Sequence, residues 1–521
     1  MSAPQFVFFG DSLTDDGNLY NQAEGLLDDV FRDAASGYDG RASDGPTWAE
    51  NLANRAGVTY DIYAVAGAEA VGSQSLVEFA TSFGALDYAL VPLNDPALQW
   101  DMNLAAQIDR FETDTAGMDL SASTGIIMIG GNDYGALRET LPALDPVQAL
   151  AALADTLVST VTATLTNALN LYQTGMDQVV VTSLPEAEFF PAINATGATV
   201  SGLLGGVFDV HNDLLEAGVD ILAGLGADIT FLDLGPITGA IAEDTTQFGM
   251  IAPYQLFTNT LPPSSPYEAD QIAFWDDIHP SGQTHELIAQ FILTASTTEV
   301  ITGANSAETH DNTSNSAETL AFLMGGDDLY FGNAAQNTVF GVTGNDEIHT
   351  GASDDLLSGG AGANTLLGYE GNDVLALGGS GSAGHGGAGD DLLILQQGTV
   401  NGLADGGMGN DIFVTGLGTG TLSGGAGDDI FLIYLDQSAD MLTQLEQIDV
   451  QGGEGHDQVA LLYDGPSMDP QYVANALQIT LTNVEDIMMI PDLGGLFDGI
   501  PDIINSAADW GLLPDAWVYA G

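Results

Sequence analysis

Two residues far apart in the chain have the types that acyl transfer needs. Ser12 stands in FVFFGDSLTDDGN, just after a short apolar run, and His279 stands in WDDIHP. A serine hydroxyl is a weak nucleophile until a neighbouring base takes its proton, and histidine is the usual base. Of the seven histidines, His310, His349, His385 and His456 lie in the C-terminal part, leaving His211, His279 and His285 as bases. His211 and His285 fall within helical patterns and read as structural or exposed. Asp276, three residues before His279, is placed to hold the imidazole tautomer and stabilise the imidazolium.

The elements that must position these residues alternate in type. Short apolar runs at 5–9, 60–65, 125–129, 178–183 and 229–234 read as strands. Helical patterns lie near 101–112, 146–173, 205–224 and 282–295. Continuous apolar strands separated by helices predict a three-layer α/β domain, a parallel sheet covered on both faces. In such sheets ligands sit beyond the C-terminal ends of the strands. Ser12 follows the first strand, Gly67 the second and Asn132 the third, while His279 precedes the last helix. Singly, Ser12 reads equally as a helix cap, Gly67 as a strand exit and Asn132 as a turn residue. Together they converge on one sheet edge.

Over roughly residues 4–296 the chain resembles the GDSL, or SGNH, hydrolase family. FFGDSLTDDGN (8–18), YAVAGA (63–68), GGNDY (130–134) and WDDIHP (275–280) match its four blocks in order, and GRASDGPTWAENLA (40–53) looks like the intervening stretch. The glycine block departs from the family's frequent pair, with Ala66 where a first glycine often stands. The resemblance implies a triad of Ser12, Asp276 and His279, with Asp276 preferred over its neighbour Asp277. It implies an oxyanion hole from the Ser12 and Gly67 backbone N–H groups and the Asn132 side-chain amide. Each such donor is typically worth about 2.7–4 kcal/mol in the transition state. The blocks look most like the lipolytic, phospholipase-like branch, and 71–100 is a candidate apolar wall or lid.

The composition narrows the partners. The chain of 521 residues carries 73 acidic residues against five basic ones, for a formal net charge of −68. All five basic residues are arginines before residue 139. Such a surface repels phosphate backbones and anionic headgroups, which excludes nucleic acid as a partner. There is no cysteine, hence no disulfide or thiol chemistry. The apolar run Phe6 to Phe9 is too short for a signal-peptide core, and no uninterrupted apolar run reads as a transmembrane segment.

After residue 300 a nine-residue period sets in. GVTGNDEIH (341–349), TGASDDLLS (350–358), GGAGANTLL (359–367) and GYEGNDVLA (368–376) run without a gap, and units recur at 386–394, 406–414, 424–432 and 452–460. This G-G-x-G-x-D-x-U-x pattern predicts an all-β parallel β-roll of nonapeptide repeats that binds Ca²⁺. Glycines permit the turns, the sixth-position Asp offers carboxylate oxygen, and turn carbonyls complete an all-oxygen shell. The sixth-position ligands are Asp328, Asp346, Asp355, Asp373, Asp391, Asp411, Asp429 and Asp457, with Asn337 and Asn364 as weaker ones. The repeats look like those of the RTX family, whose members leave Gram-negative bacteria by type I secretion with an uncleaved C-terminal signal.

The expected organisation is a hydrolase domain (1–300), a linker or irregular first coil (301–322), the calcium-binding roll (323–460), and a C-terminal cap with a secretion signal (461–521). The expected function is a secreted, calcium-stabilised carboxylic ester hydrolase, a lipase or esterase with phospholipase activity in range. Several structural calcium ions are expected in the roll and none for catalysis. Its partners are an ester or lipid substrate, calcium ions and the type I secretion apparatus. The alternatives are a non-enzymatic adhesin or matrix protein with a vestigial hydrolase domain, and an acyltransferase or carbohydrate acetylesterase on the same fold.

Overall fold

The computed structural model describes residues 3–23, 41–78, 99–141, 144–248, 250, 272–274, 278–396, 399–415, 419–435, 447–463, 471, 474 and 479–491. Two compact units are present: Met1–Ala242 with Pro253–Leu293, and Glu243–Ala252 with Thr294–Gly521.

The first unit is built on five strands, β1 (Phe6–Gly10), β2 (Tyr60–Ile62), β3 (Thr124–Met128), β4 (Gln178–Thr182) and β5 (Ile229–Leu232). They form a wholly parallel sheet in the order β2-β1-β3-β4-β5, the flavodoxin-like order. Both faces of β1 are covered, which is why its residues are apolar without alternation. On one side Phe8 meets Trp48 edge to face at 5.4 Å. On the other Phe9 lies 5.7 Å from both Tyr63 and Phe111.

The helices are α1 (Asn18–Ala23), α2 (Trp48–Ala56), α3 (Leu104–Asp114), α4 (Gly131–Thr140), α5 (Pro146–Gln173), α6 (Ala198–Gly224), α7 (Gly235–Glu243) and α8 (Gly282–Ala295), with a single turn at Pro191–Asn194. The sequence pattern misses α1, α2, α4 and α7 and starts α6 at 205; at α4, α6 and α7 glycines interrupt the apolar periodicity. Residues 148–173 of α5 are long and apolar enough, by length and composition, to cross a membrane. Leu153, Val161, Ala168 and Leu171 of this helix are buried within the first unit.

The second unit is a roll. Its strands run from β6 (Glu299–Thr302) to β24 (Asp486–Pro491), the even-numbered ones in a ten-stranded parallel sheet and the odd-numbered ones in a nine-stranded parallel sheet. Thr338 pairs with Leu356, Leu356 with Val374 and Val374 with Leu392, so one coil spans two nonapeptides. Ile348, Leu357, Leu366, Leu375 and Leu393 are fully buried between the sheets, and Phe413 stacks on Phe431 at 4.6 Å. Within 301–322 lie β7 (Thr309–Asp311) and β8 (Thr319–Phe322), which pair as members of these sheets. Past residue 460 the sheets continue through β23 (Thr480–Thr482) and β24. The segment Glu243–Ala252 belongs to this unit: Gln247 Nε2 donates to the Val342 carbonyl at 2.7 Å, and the Phe248 ring lies 5.7 Å from Phe340.

Two hydrogen-bond ladders of opposite sense stitch the coils. In the buried ladder the backbone N–H of Asp391 donates to Asp411 Oδ1 of the following coil, and that of Asp411 donates to Asp429 Oδ1. In the exposed ladder one residue upstream, the N–H of Asn410 donates backward to Asp390 Oδ1, and that of Asp428 to Asn410 Oδ1.

Gly409, at φ +131°, occupies backbone space that L-residues rarely adopt, and a Cβ there would strike the Gly389 carbonyl of the preceding coil. Gly409→Ala is therefore expected to destabilise the roll by at least about 2 kcal/mol. Denaturant unfolding followed at the roll's transition, in saturating calcium, measures this.

Candidate active site and metal-facing turns

β1 ends at Gly10, and a tight helical turn follows in which the Thr14 and Asp15 N–H groups donate to the Asp11 carbonyl at 3.1 and 3.0 Å. That turn carries Ser12 at the C-terminal edge of the sheet. His279 Nε2 lies 2.9 Å from Ser12 Oγ. With its proton on Nδ1, the ring accepts the serine hydroxyl hydrogen at Nε2.

The His279 loop is clamped on both sides. Phe274 bridges Pro280, the Ser281 N–H donates to the Ala273 carbonyl at 3.0 Å, and Thr284 Oγ1 donates to the same carbonyl at 2.8 Å. The Gly282 N–H donates to Asp44 Oδ1 at 2.6 Å, tying the start of α8 to the stretch before α2. Trp48 Nε1 in turn donates to Thr14 Oγ1 at 3.2 Å. Asp276 and Asp277 lie outside the described residues, as do 79–98 of the 71–100 segment and 464–470, 472–473, 475–478 and 492–521 of the C-terminal segment.

Neither other histidine of this unit hydrogen-bonds Ser12. His211 is buried with Nδ1 2.9 Å from the Tyr134 hydroxyl, and burial pushes its pKa down to about 4. His285 is fully buried, and burial with the nearby His279 charge pushes it to about 3. Both stay neutral.

Asn132 sits in the first turn of α4, and its amide donates to the Ala68 carbonyl at 2.9 Å. An amide nitrogen carries two hydrogens, so this bond uses one of them. Gly67 has φ +84°, a left-handed conformation that suits glycine. The loop around it is pinned by side chains from three other places. Asp15 Oδ2 accepts the Ala66 N–H at 2.8 Å. Asn103 accepts the Glu69 N–H at 3.0 Å and donates to the Val71 carbonyl at 2.8 Å. Asp133 accepts the Ala70 and Val71 N–H groups at 2.9 and 3.2 Å. Asp15 also accepts the N–H groups of Gly17, Asn18 and Leu19, so one buried carboxylate joins the serine turn to the Gly67 loop.

Sequence reasoning passed over Asp15, Asp133 and Asn103. Each is an Asp or Asn beside a candidate site residue or opening a helix, but its role depends on a loop distant in sequence.

In the roll, seven of the eight sixth-position aspartates share one arrangement. Asp328, Asp346, Asp373, Asp391, Asp411, Asp429 and Asp457 each engage Oδ1 with a backbone N–H, as Asp373 does with Asp355 at 2.8 Å, and leave Oδ2 buried without a hydrogen-bond partner. Their side chains are 0–2 % exposed. Burial raises the carboxyl pKa of Asp328, Asp346, Asp373, Asp391, Asp411 and Asp429, to about 8 at Asp373 and about 7 at Asp346 and Asp411. A buried carboxylate oxygen with no donor is costly unless a cation meets it, so these residues fit a hard cation such as Ca²⁺. Asp355 differs, because both of its oxygens accept protein N–H groups.

Residues 6–292 match the family model described as GDSL-like Lipase/Acylhydrolase. Residues 340–375 and 405–432 match that of the RTX calcium-binding nonapeptide repeat. No curated protein matches the chain.

Asp11 opens the serine turn and Asp133 lies in the first turn of α4, and burial pushes both up to about 6 against opposing backbone N–H bonds. Unfolded aspartate titrates near about 3.9. A folded value above the unfolded one gives stability that is complete below about pH 3.9 and is lost as pH rises through about 6. Asp133→Asn is thus expected to make the fall in unfolding free energy of the first unit between about pH 4 and about pH 7 shallower. An unchanged slope in denaturant titrations across that range would show that Asp133 titrates as in the unfolded chain.

Proposed function

The chain belongs to the GDSL-like lipase/acylhydrolase family, and from that premise we propose that it hydrolyses carboxylic esters with Ser12 as nucleophile. The observation that carries this reading is the 2.9 Å separation of His279 Nε2 from Ser12 Oγ. His279 takes the hydroxyl proton as Ser12 Oγ attacks the ester carbonyl. The tetrahedral oxyanion is met by the Ser12 and Gly67 backbone N–H groups and by the Asn132 amide. His279 then protonates the leaving alcohol, and an acyl ester of Ser12 remains. Water, deprotonated by His279, attacks that ester and releases the carboxylic acid. Asp276 holds the His279 tautomer. Asp15, Asn103 and Asp133 act through the loop they pin, holding the Gly67 donor before the substrate arrives. Lipids, phospholipid acyl chains included, are the proposed substrate class.

The roll is proposed to hold several structural calcium ions at its unpartnered aspartate oxygens. Bound there, calcium supplies the positive charge that this sequence of acids does not. We place the working protein outside the cell, exported by type I secretion with residues 461–521 carrying the signal, where calcium is abundant enough to fold the roll.

Ser12→Ala is expected to lower kcat/KM on aryl esters by about 10⁴-fold or more. Undiminished activity would remove the serine mechanism. A chain-length series with a phospholipid tests the substrate class: preference for about C8 and longer supports lipids, and preference for acetyl overturns that assignment.

Asp15→Asn is expected to lower kcat about tenfold to a hundredfold, with a smaller change in KM. An unchanged kcat in a folded variant would remove its positioning role.

A further inference from the structure

The repeats look alike in sequence, but their turns do not end alike. In the turn at Asn337, the amide Nδ2 donates to the carbonyls of Asn333 and Ala335 at 3.2 and 2.7 Å. In the turn at Asn364, Nδ2 donates to the Gly360 carbonyl at 3.2 Å. In the turn at Ser382, the hydroxyl lies 2.5 Å from the Gly378 carbonyl and 3.1 Å from that of Gly362. Each sixth-position side chain here brings a donor to turn carbonyls. A carboxylate has none to bring.

The donor also sits where the open oxygen sits elsewhere. A methyl placed on Gly359 would meet Asn364 Nδ2 at 2.7 Å, and one placed on the equivalent Gly406 would run into Asp411 Oδ2. The amide nitrogen of one turn thus replaces the unpartnered oxygen of the other against the same glycine.

Asp355 reaches the same end by another route. Residues in the second place of the turn are left-handed at Tyr369, Gly387, Gly407, Gly425 and Gly453, whereas Gly351 lies outside that region. The Gly351 N–H donates to Asp355 Oδ2 at 3.1 Å, while Oδ1 accepts the Asn337 N–H at 2.7 Å. Asp355 keeps no open oxygen.

We propose that the turns at Asn337, Asp355, Asn364 and Ser382 are closed by the protein's own hydrogen bonds and take no cation. Cation binding is then concentrated on the edge lined by Asp373, Asp391, Asp411, Asp429 and Asp457. The hydrogen bonds that link sixth positions coil to coil define the two edges. One runs from Asn337 through Asp355 to Asp457, and the other from Asp328 through Asp346 and Asn364 to Ser382. The second edge is partly closed by Asn364 and Ser382. At its Asp346 turn the Val342 carbonyl already accepts Gln247 Nε2. The roll therefore carries a file of ions along one edge and metal-independent turns in its earlier coils.

This inference rests on the reading of the roll as calcium-binding, and the experiment separates the two. Calcium bound per full-length chain is counted by equilibrium dialysis with elemental analysis for wild type, Asp355→Asn, Asp411→Asn and Ser382→Ala. Asparagine keeps the Oδ1 acceptor of each ladder; Asp411→Asn replaces an open oxygen, whereas Asp355→Asn replaces one that already accepts the Gly351 N–H. The expected result is that Asp411→Asn loses at least about one ion, while Asp355→Asn and Ser382→Ala keep the wild-type number. Ser382→Ala is also expected to unfold at lower denaturant than wild type in excess chelator, since its closing bond needs no metal. Equal losses at Asp355 and Asp411, or loss of an ion in Ser382→Ala, would overturn the inference alone. A wild-type chain that binds no calcium would overturn the reading beneath it.

Discussion

A chain with 73 acids and five arginines can give a cationic partner to few buried carboxylates, as Arg41 does to Glu50, and leaves the others without one. Something else must satisfy them, and in this protein it is the peptide N–H. Asp15 is enclosed by four such groups and Asp133 by two. Each roll aspartate with an open oxygen gets one, which leaves that oxygen short of a partner. The same device therefore has opposite results in the two units. Where donors are sufficient, the carboxylate becomes a rigid internal tie. Where they fall one short, the fold lacks a positive charge that must come from solution.

In the first unit those ties shape the chemistry. The strand order reverses between β1 and β3, which opens a crevice at their C-terminal ends. Ser12 leaves one of these strands and Asn132 the other, so the topology alone brings them to one rim. The Gly67 loop arrives from the edge strand β2, and short strands at an edge hold such loops poorly. Side-chain bonds from Asp15, Asn103, Asn132 and Asp133 make good that weakness. Donors fixed in advance need no reorganisation when negative charge appears, which is where an oxyanion hole gains its effect.

Much of this was legible in the residues. Apolar runs without alternation gave the parallel sheet, because strands covered on both faces show no period of two. Four short blocks gave the rim, because each follows a strand or precedes a helix. The nonapeptide phase gave the roll. Three features were not legible, and each for a physical reason. Asp15 looks like any loop acid, since its partners at residue 66 are brought close only by the fold. The coil strands near residues 299 and 309 lack paired glycines, since a terminal coil needs no close neighbour on its outer side. Asp355 holds the sixth place of its repeat as Asp411 does, with Thr350 and Ser353 where the Asp411 unit has glycines, and it is satisfied differently. That outcome is set by the backbone at Gly351, which the sixth-position Asp by itself does not reveal.

The two ladders of the roll have a mechanical consequence. One bond at each level points toward the C-terminal coil and its exposed companion points back, so the stack is cross-braced. Sliding a coil along the strands therefore strains two sets of bonds, one buried and one exposed. In the exposed ladder the side chains run Asp354, Asn372, Asp390, Asn410, Asp428, which puts a neutral rung between successive negative ones. Like charges thus stand two coils apart on the outside, while inside, carboxylates stand at consecutive levels. The buried turns thus gather a repulsion that the exposed ladder spaces out, and a cation at the open oxygens would relieve it.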